Sequence, residues 1–182
     1  MSLPRIFCLV SSTDDLSALS DLADVGVDGF QVRDKEVTTS ELVELTRVVL
    51  AAVRPSGAMV VVDDRLDVAL ATGADGVHLG ADDLTVADAR RIAPDLVVGA
   101  TCRDRGAVER AAGAGASYAG FGPVHHTSSK AGLPAPLGPA AIGAATGVLP
   151  LVAIGGIDAV LGSIWRQPDP VAAAKELVAA VV

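Results

Sequence analysis

A (β/α)8 barrel, an α/β fold, is what this sequence predicts, on three observations. Short apolar runs alternate with helical patterns along the chain, aromatic residues are scarce in a composition that is half apolar, and one helix-to-strand motif recurs. The 182 residues are 51% hydrophobic and 3% aromatic. The core must therefore be built from Ala, Val, Leu and Ile, as in parallel sheets buried on both faces. Alternating strand-like and helical stretches read as successive βαβ units. The segments "DVGVDGF", "ATGADGVH" and "AGAGASYAGF" each run helix end, glycine, small residue, strand. Gly26, Gly73 and Gly115 suit the position just past a helix end, where the chain turns left-handed. The length predicts a single barrel domain over residues 1–182.

Taken in order, the expected strands are 5–10 "RIFCLV", 29–32 "GFQV", 58–62 "AMVVV", 76–79 "GVHL", 96–100 "LVVGA", 118–121 "YAGF", 150–154 "PLVAI" and 159–164 "AVLGSI". Helical patterns lie between them. The clearest covers 39–53, with apolar residues three and four apart and Thr39 or Ser40 as the expected cap. An open doubly wound sheet is the runner-up, weakened because no GxGxxG turn follows the first strand. One connection is too short. Strands seven and eight nearly touch, whereas parallel neighbours need a crossover of about a dozen residues or more. The barrel therefore lacks the helix between its last two strands, or the sequence omits a segment of ~20 residues between Asp158 and Ala159.

Charge and composition exclude several roles. With 14 Lys and Arg against 22 Asp and Glu, the net charge is −8. So acidic a chain, without a basic run, is a poor nucleic-acid binder. No apolar stretch approaches the ~18 residues of a membrane span, and no secretory signal opens the chain, so a cytoplasmic protein is expected. Cys8 and Cys102 sit in apolar runs and read as buried thiols rather than a disulfide. A homodimer is left open.

In a barrel, chemistry sits where strands end and the following loops begin. Those positions hold Gln31, Arg33 and Lys35 after strand two, Asp63 and Asp64 after strand three, and His78, Asp82 and Asp83 at strand four. Strand five contributes Thr101, Cys102 and Arg103. His125, His126, Thr127, Ser129 and Lys130 follow strand six, and Gly155 and Gly156 follow strand seven. Three cations beside carboxylates on two neighbouring strands suit Mg²⁺ carried by a pyrophosphate. Loops after the late strands suit a phosphate. Each group also has a plainer reading. "DDR" and "GADD" could cap the helices that follow, His78 could be a hydrogen-bonded core residue, and His125 and His126 could be exposed loop residues.

The stretches "FQVRDK", "DDRLDVALATGADGVHLGADD", "YAGFGPVHHTSSK" and "VAIGGI" together resemble the thiamine phosphate synthase and thiazole tautomerase family, in order and spacing, over roughly residues 5 to 158. "AVLGSIWRQPDPVAAAKELV" resembles its last strand and helix. The resemblance implies a (β/α)8 barrel that couples hydroxymethylpyrimidine pyrophosphate to thiazole phosphate with Mg²⁺, releasing pyrophosphate. Pyrophosphate would leave first, and the thiazole nitrogen would capture the pyrimidine-methyl cation. Carried over residue by residue, Arg33, Lys35, Thr101 and Lys130 are the implied catalytic residues. Gln31, Asp63, Thr127, Ser129, Gly155 and Gly156 are the implied substrate contacts, and Asp64 and Asp83 the implied Mg²⁺ carboxylates. The partners implied are small phosphate and pyrophosphate substrates. Asp63 departs from the synthases' usual Asn, and a carboxylate beside a pyrophosphate repels it unless protonated or metal-bound. Two alternatives go with the departures: a thiazole tautomerase using His125 or His126 as acid or base, and a noncatalytic thiazole-phosphate-binding paralogue.

Overall fold

The computed structural model describes residues 3–126, 134–156 and 164–180. In chain order the elements are β1 (Phe7–Val10), α1 (Leu19–Asp24), β2 (Gly29–Val32), α2 (Thr39–Val53), β3 (Met59–Asp63), α3 (Leu66–Thr72) and β4 (Gly76–Leu79). They continue with α4 (Val86–Ile92), β5 (Val97–Cys102), α5 (Arg105–Gly113), β6 (Tyr118–Phe121), α6 (Ala140–Ala145), β7 (Leu151–Ala153) and α7 (Pro170–Ala180). Strands β2, β4 and β6 occupy their expected spans. β3 and β5 run further, to Asp63 and Cys102, while β1 and β7 are shorter than expected. The eighth strand falls on 159–163, outside the described residues, and Ile164 opens a turn. The short crossover at Asp158 and Ala159 lies outside them too.

The chain divides into two compact units, Met1–Gly76 with Asp158–Val182, and Val77–Ile157. In the first, β1, β2 and β3 are parallel neighbours, with Phe7 opposite Gly29 and Gly29 opposite Met59. Val60, Val61 and Val62 are fully buried on successive sides of β3, as a strand covered on both faces must be. Helix α2 turns Leu42, Leu45, Val49 and Val53 inward, three and four apart. Helix α7 lies against α1, where Gly26 (φ 109°) leaves Val178 room that a Cβ would take. The Trp165 indole N–H donates to the Leu9 carbonyl of β1 at 2.7 Å.

The cap of α2 differs from the expectation. Thr38, not Thr39 or Ser40, is the N-cap. Its hydroxyl accepts from the Glu41 N–H at 3.3 Å, and the Glu41 carboxylate accepts from the Thr38 N–H at 2.7 Å. This reciprocal box satisfies two amides that the first turn leaves without helical partners. Thr38→Ala is expected to cost about 1 kcal/mol, read as a shift in urea midpoint at unchanged m-value. No shift would show that water replaces the cap without loss.

In the second unit β5, β6 and β7 are parallel neighbours, with Gly99 opposite Tyr118 and Gly120 opposite Val152. Their core is small-residue packing: Ala100, Val108, Ala111, Ala116, Ala119 and Phe121. Gly73 and Gly115 have φ of 69° and 95° and, with Gly26, bear out the recurring helix-end motif. Cys8 and Cys102 are free and buried. Burial, with Asp14 nearby, pushes the Cys8 thiol up to about 12. No helix among the described residues is long and apolar enough to cross a membrane.

Candidate functional site

The first unit gathers five of the expected residues at the carboxyl ends of β2 and β3. Register does most of this. Val32 pairs with Val62, so the next residues, Arg33 and Asp63, also lie side by side. Gln31 is two residues before Arg33 and shares its face. The Gln31 amide donates to Asp63 Oδ1 at 2.6 Å, and Arg33 Nε meets Asp63 Oδ2 at 3.1 Å. Lys35 Nζ meets Asp64 Oδ2 at 2.7 Å. Between the two cations, Asp34 turns away to accept from the Ser12 hydroxyl at 2.5 Å and the Ser12 N–H at 2.9 Å. Burial acts against the charge on Asp34, but these bonds hold its carboxyl below the usual range. They also pin the loop that carries Arg33 and Lys35.

Neither aspartate occupies the N-cap position of a helix. The N-cap position of α3 is Arg65, without a side-chain cap bond, so the plainer reading of "DDR" is excluded. Asp64 has φ 63°, and it alone of the described non-glycine residues has a positive φ. The Arg65 N–H donates to the Asp63 carbonyl at 2.7 Å, closing a tight turn centred on Asp64. Such backbone costs of order 1 kcal/mol and is concentrated at functional positions. The turn presents the Asp64 carboxylate at the strand end, 22% exposed and held by Lys35, whose own pKa is raised chiefly by that hydrogen bond. Asp63 is more enclosed, at 9% exposed. Burial first, and the Asp64 charge second, raise its pKa to about 6 against the opposing pull of Arg33, Gln31 and Lys35.

The second unit holds three separate pieces. Asp83 Oδ2 accepts from the Gly80 N–H at 2.7 Å, which ties the loop after β4. The cap of α4 is Thr85, so "GADD" is not its cap. Thr101, exposed at the end of β5, meets the buried His78 ring, Nε2 to Oγ1 at 3.0 Å. Gly155 (φ 80°) and Gly156 (φ 65°) form a left-handed pair after β7. A Cβ on Gly155 would lie 2.6 Å from Pro123 Cα, and one on Gly156 2.5 Å from the His126 carbonyl oxygen. Only glycine fits there. His125 and His126 are exposed.

Thr127, Ser129 and Lys130 lie outside the described residues. Among the described residues no group of three His, Cys, Asp or Glu side chains is close enough to hold a metal ion. Taken singly, Asp64 just past β3 and Asp83 in the loop after β4 each offer hard carboxylate oxygens of the kind Mg²⁺ takes. Sequence reasoning missed Tyr118, whose hydroxyl meets His78 Nδ1 at 3.1 Å. Its being the one tyrosine of the chain was the available signal, and the β5–β6 register was needed to use it.

A family model described as "Thiamine monophosphate synthase" matches residues 6–161. A bifunctional thiamine biosynthesis protein, ThiM/ThiE, of Symbiobacterium thermophilum is 40% identical over 94% of this chain, which spans 40% of that protein. A thiamine-phosphate synthase of Chlorobium luteolum is 37% identical over 194 positions, covering 96% of this chain and 92% of that protein. Because 96% of 182 residues is about 175, roughly 19 of those positions have no counterpart here. The structure titled "Thiamine phosphate pyrophosphorylase from Pyrococcus furiosus" superposes with a TM-score of 0.84 at 26% identity, covering 97% of this chain and 96% of that one. The expected α/β barrel class is thereby borne out.

Proposed function

The chain belongs to the thiamine monophosphate synthase family, and from that premise we infer that it is a thiamine-phosphate synthase, a transferase of thiamine biosynthesis. It couples hydroxymethylpyrimidine pyrophosphate to thiazole phosphate. The observation that carries the reading is the pair of ion pairs at adjacent strand ends, Arg33–Asp63 and Lys35–Asp64. Two cations are held ready for a polyanion by carboxylates, one of which is freed for a metal when the polyanion takes over Lys35.

The reaction needs the methylene–oxygen bond to break with its electron pair leaving on pyrophosphate. The thiazole nitrogen then gives its lone pair to the methylene carbon, forming the C–N bond. Arg33, Lys35 and Lys130 neutralise the departing charge, where charge stabilisation contributes most. Gln31 and Thr101 orient the aminopyrimidine, whose ring spreads the developing positive charge. Thr127, Ser129, Gly155 and Gly156 hold the thiazole phosphate near the nitrogen's line of attack. We assign Asp64 and Asp83 to Mg²⁺, which when bound supplies further charge to the pyrophosphate oxygens. The protein acts as one domain, on small phosphorylated substrates, in the cytoplasm.

The test is direct. Purified protein is mixed with both substrates and Mg²⁺, with and without a chelator, and both products are followed by chromatography. Thiamine phosphate and pyrophosphate are expected in equal amounts, and only without chelator. A folded sample that yields neither product would overturn the reading.

A further inference from the structure

The His78 ring lies across three successive strands of the second unit. It projects from β4, meets the Tyr118 hydroxyl of β6 through Nδ1 at 3.1 Å, and meets the Thr101 hydroxyl of β5 through Nε2 at 3.0 Å. Register explains the fit. Gly99 pairs with Tyr118 and Thr101 pairs with Gly120, so each large residue faces a glycine. The ring fills the space beside Gly120 and shares the space beside Gly99 with the Tyr118 phenol. A Cβ on Gly99 would lie 2.6 Å from His78 Nδ1, and one on Gly120 would lie 2.7 Å from His78 Cε1. The arrangement is buried at one end, with Tyr118 1% and His78 7% exposed, and open at the other, where Thr101 is exposed.

We propose that Tyr118 and His78 are positioning residues that fix the Thr101 hydroxyl as a hydrogen-bond donor to an aromatic ring nitrogen of the substrate. A neutral imidazole has one N–H and one acceptor nitrogen, and two hydroxyls compete for that acceptor. The phenol is the more acidic hydroxyl and makes the stronger donor, so Tyr118 donates to Nδ1. Nε2–H then donates to Thr101 Oγ1. With its oxygen engaged by His78, Thr101 keeps its own hydrogen for a ligand at the strand end. A chain of aligned bonds polarises each member and holds the last one in a single orientation. The inference rests on the reading that Thr101 touches the pyrimidine, but the state of His78 can be tested apart from it.

Two measurements decide the matter. Long-range ¹H–¹⁵N correlation spectra of the free protein are expected to show His78 neutral with the hydrogen on Nε2. In Tyr118→Phe, which deletes one oxygen, the two tautomers are expected to mix. A hydrogen on Nδ1 in the wild type would overturn the proposal whatever the enzyme's activity. Kinetics form the second arm. Tyr118→Phe and His78→Asn are each expected to lower kcat about tenfold, the size of one lost oriented hydrogen bond. KM for thiazole phosphate is expected to stay unchanged. In a Thr101→Val background neither substitution should lower kcat further, whereas Thr101→Ser should restore most of the activity. Losses that multiply in the Thr101→Val background would make His78 and Tyr118 packing residues only. Absent turnover in folded wild type would refute the synthase reading instead, leaving the tautomer result to stand by itself.

Discussion

Asp64→Gly is expected to abolish thiamine phosphate synthesis while leaving the protein as stable as the wild type. Asp64 holds φ 63° in a tight turn closed by the Arg65 N–H, a conformation that glycine adopts without the Cβ penalty. The Lys35 pair that is lost is half-exposed on the lysine side and contributes little to stability. Relief of backbone strain and loss of the pair therefore nearly offset, and the urea midpoint should move by no more than about 1 kcal/mol. Activity should fall at least ~10³-fold, because metal-borne charge stabilisation amounts to several kcal/mol and each 1.4 kcal/mol is a factor of ten. Asp64→Ala should lose activity equally but also some stability, since alanine keeps the strain. If Asp64→Gly unfolds by circular dichroism, the residue is a structural element of the turn. If it folds and turns over normally, Asp64 is not a metal carboxylate.

The second large effect is expected at Asp63. Its carboxyl is raised to about 6, by burial first and by the Asp64 charge second. A folded-state value above the unfolded one means that this group's stability contribution is fully present below the unfolded value, near pH 4. It is lost as pH rises through about 6. Asp63→Asn resembles the protonated form at every pH. The two proteins should therefore be similar near pH 4, and the variant should gain up to about 3 kcal/mol by pH 7.5, two pKa units at about 1.4 kcal/mol each. The same substitution should lower KM for the pyrophosphate substrate about tenfold at pH 7.5, by removing a charge that repels it. It should change KM little at pH 5. Urea melts across that range and initial rates at both ends check it. A variant that is less stable at pH 7.5 would show that the Arg33 pair outweighs burial.

Both results depend on features of differing legibility. That Asp63 and Asp64 end a buried strand could be read from three valines followed by two carboxylates. Their opposite fates could not. Asp63 turns inward to Gln31 and Arg33 while Asp64 turns outward to Lys35, and the pairing depends on a parallel register between segments 30 residues apart. The Thr38 cap shows a smaller gap, of a local kind. The helix span followed from periodicity, whereas the expected cap, Thr39 or Ser40, fell one or two residues late, although the spacing of Thr38 to Glu41 is itself a local signal. The His78, Tyr118 and Thr101 set shows the largest gap. His78 and Tyr118 stood in recognisable strands and Thr101 just past one, but nothing local indicated that they would meet.

The sequence by itself determined the α/β class, the positions of the seven described strands to within a residue or two, the left-handed glycines at helix ends and the family. These follow from local propensity and from a hydrophobic period that each segment carries within itself. Tertiary structure alone decided which carboxylate is enclosed, which cation it holds, how a glycine on one strand makes room for an imidazole from another, and where that imidazole points. Those outcomes depend on register and on side-chain volume across strands. A shift of one residue in register sends every side chain of a strand to the opposite face.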